Sequence, residues 1–189
     1  MTWEFWTFLS ITSVRQVPQF WLELRSRGVR ILHSSGSRST LAMFVLYLAI
    51  WITSLVYLVF SDPRLAPVIV GGCLLVLGTG MRFVALGQLG TGYSGAIIIR
   101  EGHKLTRSGV YRLVRHPLHL ALVMELLGMM VYVEAWWLAP LWALLGGVIL
   151  ARNRREDRVL REAFGEEAVR YQASTPGMNP LGHLYRRGS

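Results

Sequence analysis

Residues 41–60, LAMFVLYLAIWITSLVYLVF, form a run of 20 without a formal charge, about the number that a helix rising roughly 1.5 Å per residue needs to cross a hydrocarbon layer. Ser61-Asp62-Pro63-Arg64 follows as a turn signal, and a second apolar run, Leu65 to Met81, ends at Arg82, whose long side chain is expected to snorkel to the headgroups. A third run, Leu118 to Val133, is interrupted by Glu125; after Glu134 a fourth extends from Ala135 to Ala151, with Trp136, Trp137 and Trp142 near its start. The tryptophans lie where an aromatic belt belongs. These runs predict an all-α integral membrane protein with about four transmembrane helices in two hairpins, spanning about 41–60, 65–81, 118–133 and 135–151.

Composition agrees. The 189 residues are 52% apolar and 16% charged, with a mean hydropathy of +0.39, whereas soluble domains carry about a quarter of their residues as charges. The net charge of +9 would suggest nucleic acid in a soluble protein, but all of the 20 basic residues except Arg64 fall on one side of the four-span arrangement. That is the positive-inside pattern, and it places both termini and residues 82–117 in the cytoplasm. No nucleic-acid recognition motif accompanies these charges. With 19 arginines and one lysine, a bacterial-type inner membrane is the expected location. Cys73 is the single cysteine, so neither a disulfide framework nor a cysteine metal cluster is possible within one chain, and no metal centre is expected.

Residues 1–40 read as an interfacial amphipathic segment and linker. Trp3, Phe5, Trp6, Phe8 and Leu9, then Phe20, Trp21, Leu22 and Leu24, suit one or two helices lying on the membrane, and residues 34–40 have linker composition. With Glu4 near the start and no basic flank, the stretch does not read as a cleavable signal peptide. Gly71, Gly72, Gly78, Gly80, Gly146 and Gly147 are read as close-packing positions. Gly90-Thr91-Gly92 has no strand–helix unit around it, so no soluble dinucleotide-binding fold is indicated.

Two cytoplasmic segments, within 82–117 and 152–181, are too specific to be ordinary connectors. The first ends in Arg115-His116-Pro117, where proline suits the first turn of a helix and biases His116 away from helical geometry. The second continues the fourth span into a cytoplasmic helix ending near Gly165, with Glu156 and Asp157 about one turn beyond Arg152. Halfway along the third span, Glu125 is costly in lipid and is expected to face a cavity or a partner. His33 and His183 sit in polar tails and are given no role.

At these segments the sequence resembles the isoprenylcysteine carboxyl methyltransferase-like family of membrane methyltransferases and, more remotely, phospholipid N-methyltransferases. The resemblance is carried by His103-x-Leu105-x-x-Ser108-Gly109-Val110-Tyr111-x-x-x-Arg115-His116-Pro117 and, 35 residues later, by Arg152-x-x-x-Glu156-Asp157-x-x-Leu160-x-x-x-Phe164-Gly165, Tyr171 and Pro176. It covers roughly residues 82–181. The chain departs from the family pattern at His119 and Ala121, where tyrosine and glycine are usual, at Asp157, where the second acid is usually glutamate, and at Ala168, where an aromatic residue is common.

The resemblance implies S-adenosylmethionine as methyl donor, with S-adenosylhomocysteine as product. It points to His103, Leu105, Tyr111, Arg115, His116, Pro117, Glu156, Asp157 and Tyr171 as cofactor-binding residues and to Arg152 and His119 on the substrate side. Glu156 and Asp157 suit the methionine ammonium, Arg115 or backbone donors near His103 its carboxylate, and Tyr111 or Tyr171 the adenine or sulfonium. A carboxylate acceptor needs only a partner such as Arg152; a phenol or amine would need a proton acceptor, for which His116, His119 and Glu125 are available. Arg152, His116 and Glu125 are therefore the catalytic candidates. The expected function is methyl transfer to an oxygen, carboxylate or hydroxyl, of a lipophilic isoprenoid- or lipid-like acceptor. That acceptor would enter laterally from the bilayer between span 2 and span 3 or 4, near Gly78 or Gly128. N-methylation of an aminophospholipid, S-methylation of a small thiol, and a non-catalytic membrane protein with the same hairpin are the alternatives; no obligate protein partner is indicated.

Overall fold

The computed structural model describes residues 2–15, 21–22, 31–35, 37–61, 63–90, 93, 97–100 and 105–179. In chain order these form α1 (Trp3–Val14), β1 (Ile31–Ser35), α2 (Ser37–Phe60), α3 (Leu65–Leu89), β2 (Ile97–Arg100), α4 (Val110–Leu113), α5 (Pro117–Val133), a 3-10 turn (Trp136–Leu138), α6 (Ala139–Phe164) and α7 (Glu166–Ser174). Helices α2 and α3 are long and apolar enough to cross a membrane, and α5 is a shorter apolar helix.

The long helices are apolar all round yet bury only one stripe each. In α2 the buried residues are Tyr47, Ile50, Ser54 and Leu58, while Phe44, Val45, Ile52, Val56 and Val59 face outward. In α3 the stripe is Val68, Gly71, Leu75, Gly78, Arg82 and Ala85, with Ile69, Val70, Val76 and Leu77 outside. Apolar faces of this extent are a liability in water and are suited to acyl chains. The chain is a membrane protein.

The tightest seam joins α3 to α5. A Cβ added at Gly71 would stand 2.5 Å from the Tyr132 backbone nitrogen, and one at Gly128 would stand 2.8 Å from the Gly71 carbonyl oxygen. At Gly78 it would meet the Glu125 Cγ at 2.9 Å. Small residues here let two backbones touch. The same contact closes the seam at Gly78 and Gly128, so this gap is not the lateral opening expected from sequence. Gly72 makes ordinary contact with the Tyr132 ring, and around Gly80, Gly146 and Gly147 a side chain would meet open space.

Where α3 passes Glu125, Arg82 turns inward. Its Nε and Nη2 donate to the two Glu125 carboxylate oxygens at 2.9 and 2.8 Å, and Arg15, just past α1, donates to the same carboxylate. Arg82 is only 7% exposed and Glu125 1%, so Arg82 does not snorkel: a buried carboxylate offers a stronger partner than the headgroup region. Helix α3 accordingly continues past Met81 to Leu89. The Arg15 guanidinium also lies over the Tyr47 ring of α2, 3.9 Å from its centre.

Helix α1 is held on the bundle by more than that charge. Phe5 and Phe8 enter the main core, while Trp3 and Trp6 stay exposed; the Tyr132 hydroxyl donates to the Glu4 carbonyl and the Trp51 indole donates to Thr12. The stretch expected to be linker, 34–40, instead closes β1 and opens α2. Backbone pairing explains this: β1 runs antiparallel to β2, with Ser35 opposite Ile97 and Ile31 opposite Arg100, an element not expected from sequence. At the opposite end of the bundle, Arg64 pairs with Glu134 and so ties together the two hairpin turns.

Replacing Glu125 by alanine leaves Arg15 and Arg82 buried without a counter-charge and is expected to cost about 3–5 kcal/mol. Thermal unfolding in detergent reads this directly, and adding Arg82→Met should recover part of the loss. Gly128→Leu should lower the midpoint as well, because the atoms it meets are backbone and cannot swing aside.

Candidate cofactor and active site

The site is assembled where α5 begins and α6 leaves the apolar bundle. Pro117 opens α5 and His116 precedes it in a non-helical conformation, φ −120° and ψ 62°. The chain beyond α7 pins this junction: the Arg115 amide donates to the Pro176 and Gly177 carbonyls, both at 2.9 Å, and the His116 amide donates to Gly177 at 3.2 Å. Just upstream, Gly109 adopts φ +56°, with the Gln88 side chain packed where a Cβ would stand. The Gln88 Oε1 accepts from the Val110 amide. Only glycine meets both demands.

Opposite this junction, α6 presents Arg152, Asn153, Glu156 and Asp157 on one face. His116 Nε2 is 3.1 Å from Asp157 Oδ1 and His116 Nδ1 is 3.3 Å from Glu156 Oε2. His119, one turn further along α5, places its Nδ1 3.8 Å from the same Glu156 oxygen. Arg152 Nε donates to Glu156 Oε1 at 2.9 Å and its Nη1 donates to Thr40 at 2.6 Å. Arg115 Nη1 closes the set, 3.0 Å from Asp157 Oδ2.

Helix α7 braces the arrangement. The Tyr171 hydroxyl donates to the Tyr111 carbonyl at 2.6 Å, Gln172 donates to the Asp157 carbonyl at 2.8 Å and accepts from Arg161, and Arg107 pairs with Glu167. Two buried polar atoms beside the cluster, Arg115 Nε and Asn153 Oδ1, have no hydrogen-bond partner among the described residues.

Charge sets the protonation states. Burial alone would lower the His116 pKa, but its bonds to Asp157 and Glu156 outweigh this and raise it to about 8. Burial would raise the Glu156 pKa, but His119, His116 and Arg152 together lower it to about 2. Burial lifts the Tyr111 phenol above its usual range and pushes Tyr171 up to about 12, so both stay neutral.

Nine sequence-derived site residues thus converge: Tyr111, Arg115, His116, Pro117, His119, Arg152, Glu156, Asp157 and Tyr171. Leu105 is half-buried in the approach to α4; His103 lies outside the described residues. Glu125 stands apart, more than two turns along α5, with both oxygens held by guanidinium groups. Sequence reasoning missed Thr40, Asn153 and Gln172. Asn153 had a readable signal, an amide one residue after Arg152 and one turn before Asp157; Thr40 comes from a distant helix and had none. Alongside, an apolar cleft of about 290 Å³ lies between α5 and α6, lined by residues including Val123, Leu126, Met130, Trp142 and Gly146.

A histidine whose folded-state pKa of about 8 exceeds its ordinary 6.5 stabilises the fold fully below about pH 6.5, and the contribution is lost as pH rises through 8. Glu156, lowered from 4.5 to about 2, contributes above about pH 4.5 and loses its share as pH falls through 2. The thermal midpoint should therefore fall by the equivalent of about 2 kcal/mol between about pH 6.5 and 9. In His116→Gln that alkaline decline should vanish.

The chain is 35% identical over 114 residues to the cobalt-zinc-cadmium resistance protein CzcN of Cupriavidus metallidurans, covering 59% of this chain and 52% of that one. It is 28% identical over 118 residues to protein-S-isoprenylcysteine O-methyltransferase B of Arabidopsis thaliana, covering 59% and 58%. An uncharacterized Bacillus subtilis protein, YpbQ, is 29% identical over 83 residues, covering 43% and 49%. The chain spans about half the length of these curated relatives. Residues 70–162, which run from α3 through the His116–Glu156–Asp157 cluster, match the isoprenylcysteine carboxyl methyltransferase family.

Proposed function

We propose that this protein is a membrane methyltransferase that moves a methyl group from S-adenosylmethionine to an oxygen of a lipophilic, isoprenoid- or lipid-like acceptor. The observation that carries the reading is the direct junction of Arg115-His116-Pro117 with Glu156-Asp157, two blocks far apart in sequence that meet through His116 inside the family-matched segment. In the membrane, α2, α3, α5 and the apolar half of α6 cross as two hairpins, with both termini and the cluster on the cytoplasmic face of a bacterial-type inner membrane.

The residues fit a zwitterionic donor. Glu156 and Asp157 are assigned its ammonium, and Arg115, with its unpartnered buried Nε, is assigned its carboxylate. Tyr111 and Tyr171 suit the adenine or the cationic sulfur; His103, Leu105, His116 and Pro117 complete the set. When bound, S-adenosylmethionine supplies a methyl group activated by its sulfonium. The protein's task is then to align the acceptor oxygen and exclude water.

Arg152 is assigned the acceptor's carboxylate, beside His119. Such an acceptor arrives ionised and needs no base, which suits a site whose buried imidazole already directs both ring nitrogens at carboxylates. The family's description and the Arabidopsis relative's name, an isoprenylcysteine O-methyltransferase, favour the same acceptor class. Glu125, a catalytic candidate by sequence, is assigned an anchoring role through Arg15 and Arg82. The apolar cleft between α5 and α6 takes the acceptor's tail, because it begins one turn below His119.

Calorimetry on detergent-purified protein should show S-adenosylmethionine binding, weakened about 10- to 100-fold by Glu156→Ala, as expected for loss of one charged hydrogen-bonding partner. Absence of binding to the wild type would remove the reading. Ala143→Trp, which fills the cleft, should raise KM for a lipid acceptor while donor affinity stays unchanged; mass spectrometry of methylated lipid extract identifies the product.

A further inference from the structure

His116 and His119 lie three residues apart across the start of α5, and Glu156 faces both from α6. One ligand atom from each lies within 4.8 Å of the other two. The nearer pairs, Glu156 Oε2 to His116 Nδ1 at 3.3 Å and to His119 Nδ1 at 3.8 Å, are close to the roughly 3.3–3.6 Å edge set by a tetrahedral ion with ligand bonds of about 2.0–2.2 Å. We propose that His116, His119 and Glu156 form a binding site for a divalent transition-metal ion of the zinc or cobalt kind.

The donor set suits that class. Two imidazoles and one carboxylate are the ligands such ions take when a fourth position is left open, and oxygen-seeking ions such as magnesium would not favour a histidine pair. The surroundings are those of a metal site too. Asp157 accepts at His116 Nε2, the carboxylate–imidazole contact that orients a ligating ring and leaves its other nitrogen for the metal. Arg152 holds the Glu156 oxygen that the histidines do not face.

His116 is 6% exposed, and the His119 and Glu156 side chains are 12% and 23% exposed, so the pocket is shielded yet reachable. The ion replaces the proton between His116 Nδ1 and Glu156 Oε2, and that proton leaves to solvent. Arg115 and Arg152 add positive charge nearby, which favours an anion such as hydroxide or chloride in the open position. The spacing alone does not disclose such a site, since the carboxylate lies on another helix, 37 residues beyond His119. His119 also stands where the family pattern usually has tyrosine, so the site is a property of this chain.

The test uses full-length, tag-free protein in detergent, stripped with chelator and titrated with Co²⁺ alone. One Co²⁺ per chain is expected, with visible absorption from a low-symmetry histidine-ligated ion. His119→Tyr should abolish the absorption and the saturable binding while the size-exclusion profile is retained. Should that variant not fold, His119→Gln reads the same ligand loss. Asp157→Asn, which keeps all three ligands but weakens the outer contact to His116 and the pairing with Arg115, should weaken binding by about 10- to 100-fold. Failure of the wild type to bind Co²⁺ stoichiometrically, or unchanged binding in a folded His119 variant, overturns the proposal. The ion and the ammonium of a methyl donor would exclude one another at Glu156; because the titration contains no donor, its result is independent of the methyltransferase reading.

Discussion

The Glu125 carboxylate, buried inside a helix bundle and clasped by two arginines from two other segments, is the constraint on which the arrangement depends. A lone carboxylate there would cost several kcal/mol, and so would either arginine alone. The three are tolerable only together. Arg82 meets Glu125 as a two-pronged fork, and this planar match fixes how α3 lies along α5. Arg15 reaches the same carboxylate from the end of α1 and stacks on Tyr47 of α2. Four helices thus refer their positions to one side chain.

That registration reaches the polar cluster through geometry. Glu125 lies nine residues beyond His116, about 13 Å along a helix axis, and the glycine seam at Gly71, Gly78 and Gly128 leaves α5 no freedom to slide on α3. The start of α5 is consequently held at a set height. Helix α6 supplies the other half by running unbroken from the apolar bundle to Phe164, so that Arg152, Glu156 and Asp157 inherit the rigidity of the bundle. A loop could not hold opposite charges at these distances with comparable precision.

Much of this was legible in the amino-acid order. Apolar runs announced α2, α3, α5 and the first half of α6, Pro117 announced the start of α5, and the charges from Arg152 onward announced the polar half of α6. What was hidden depended on partners distant in sequence. Arg82, at the end of an apolar run, carries the pattern of a residue bound for the headgroups; only Glu125 on a neighbouring helix turns it inward. Thr40 read as linker because Ser, Gly and Thr surround it, and nothing local indicates that it meets Arg152. The β1–β2 ribbon is likewise non-local, since five residues make a strand only when another segment supplies the hydrogen bonds.

Periodicity connects the polar cluster with the apolar cleft. Along α5, His119, Val123, Leu126 and Met130 follow at steps of four, three and four; along α6, Ala139, Trp142, Gly146 and Asn153 follow at three, four and seven. Such steps keep residues on one helix face. Each helix therefore carries a face that is apolar within the bundle and becomes polar at the end that bears the cluster, and the two faces meet across the cleft. His119 and Asn153 form the rung where the character changes. A surface graded in this way complements a molecule with a charged head and a long apolar body. Arg115 and Arg152, at the polar end of these faces, are thus the charges that such a head would meet.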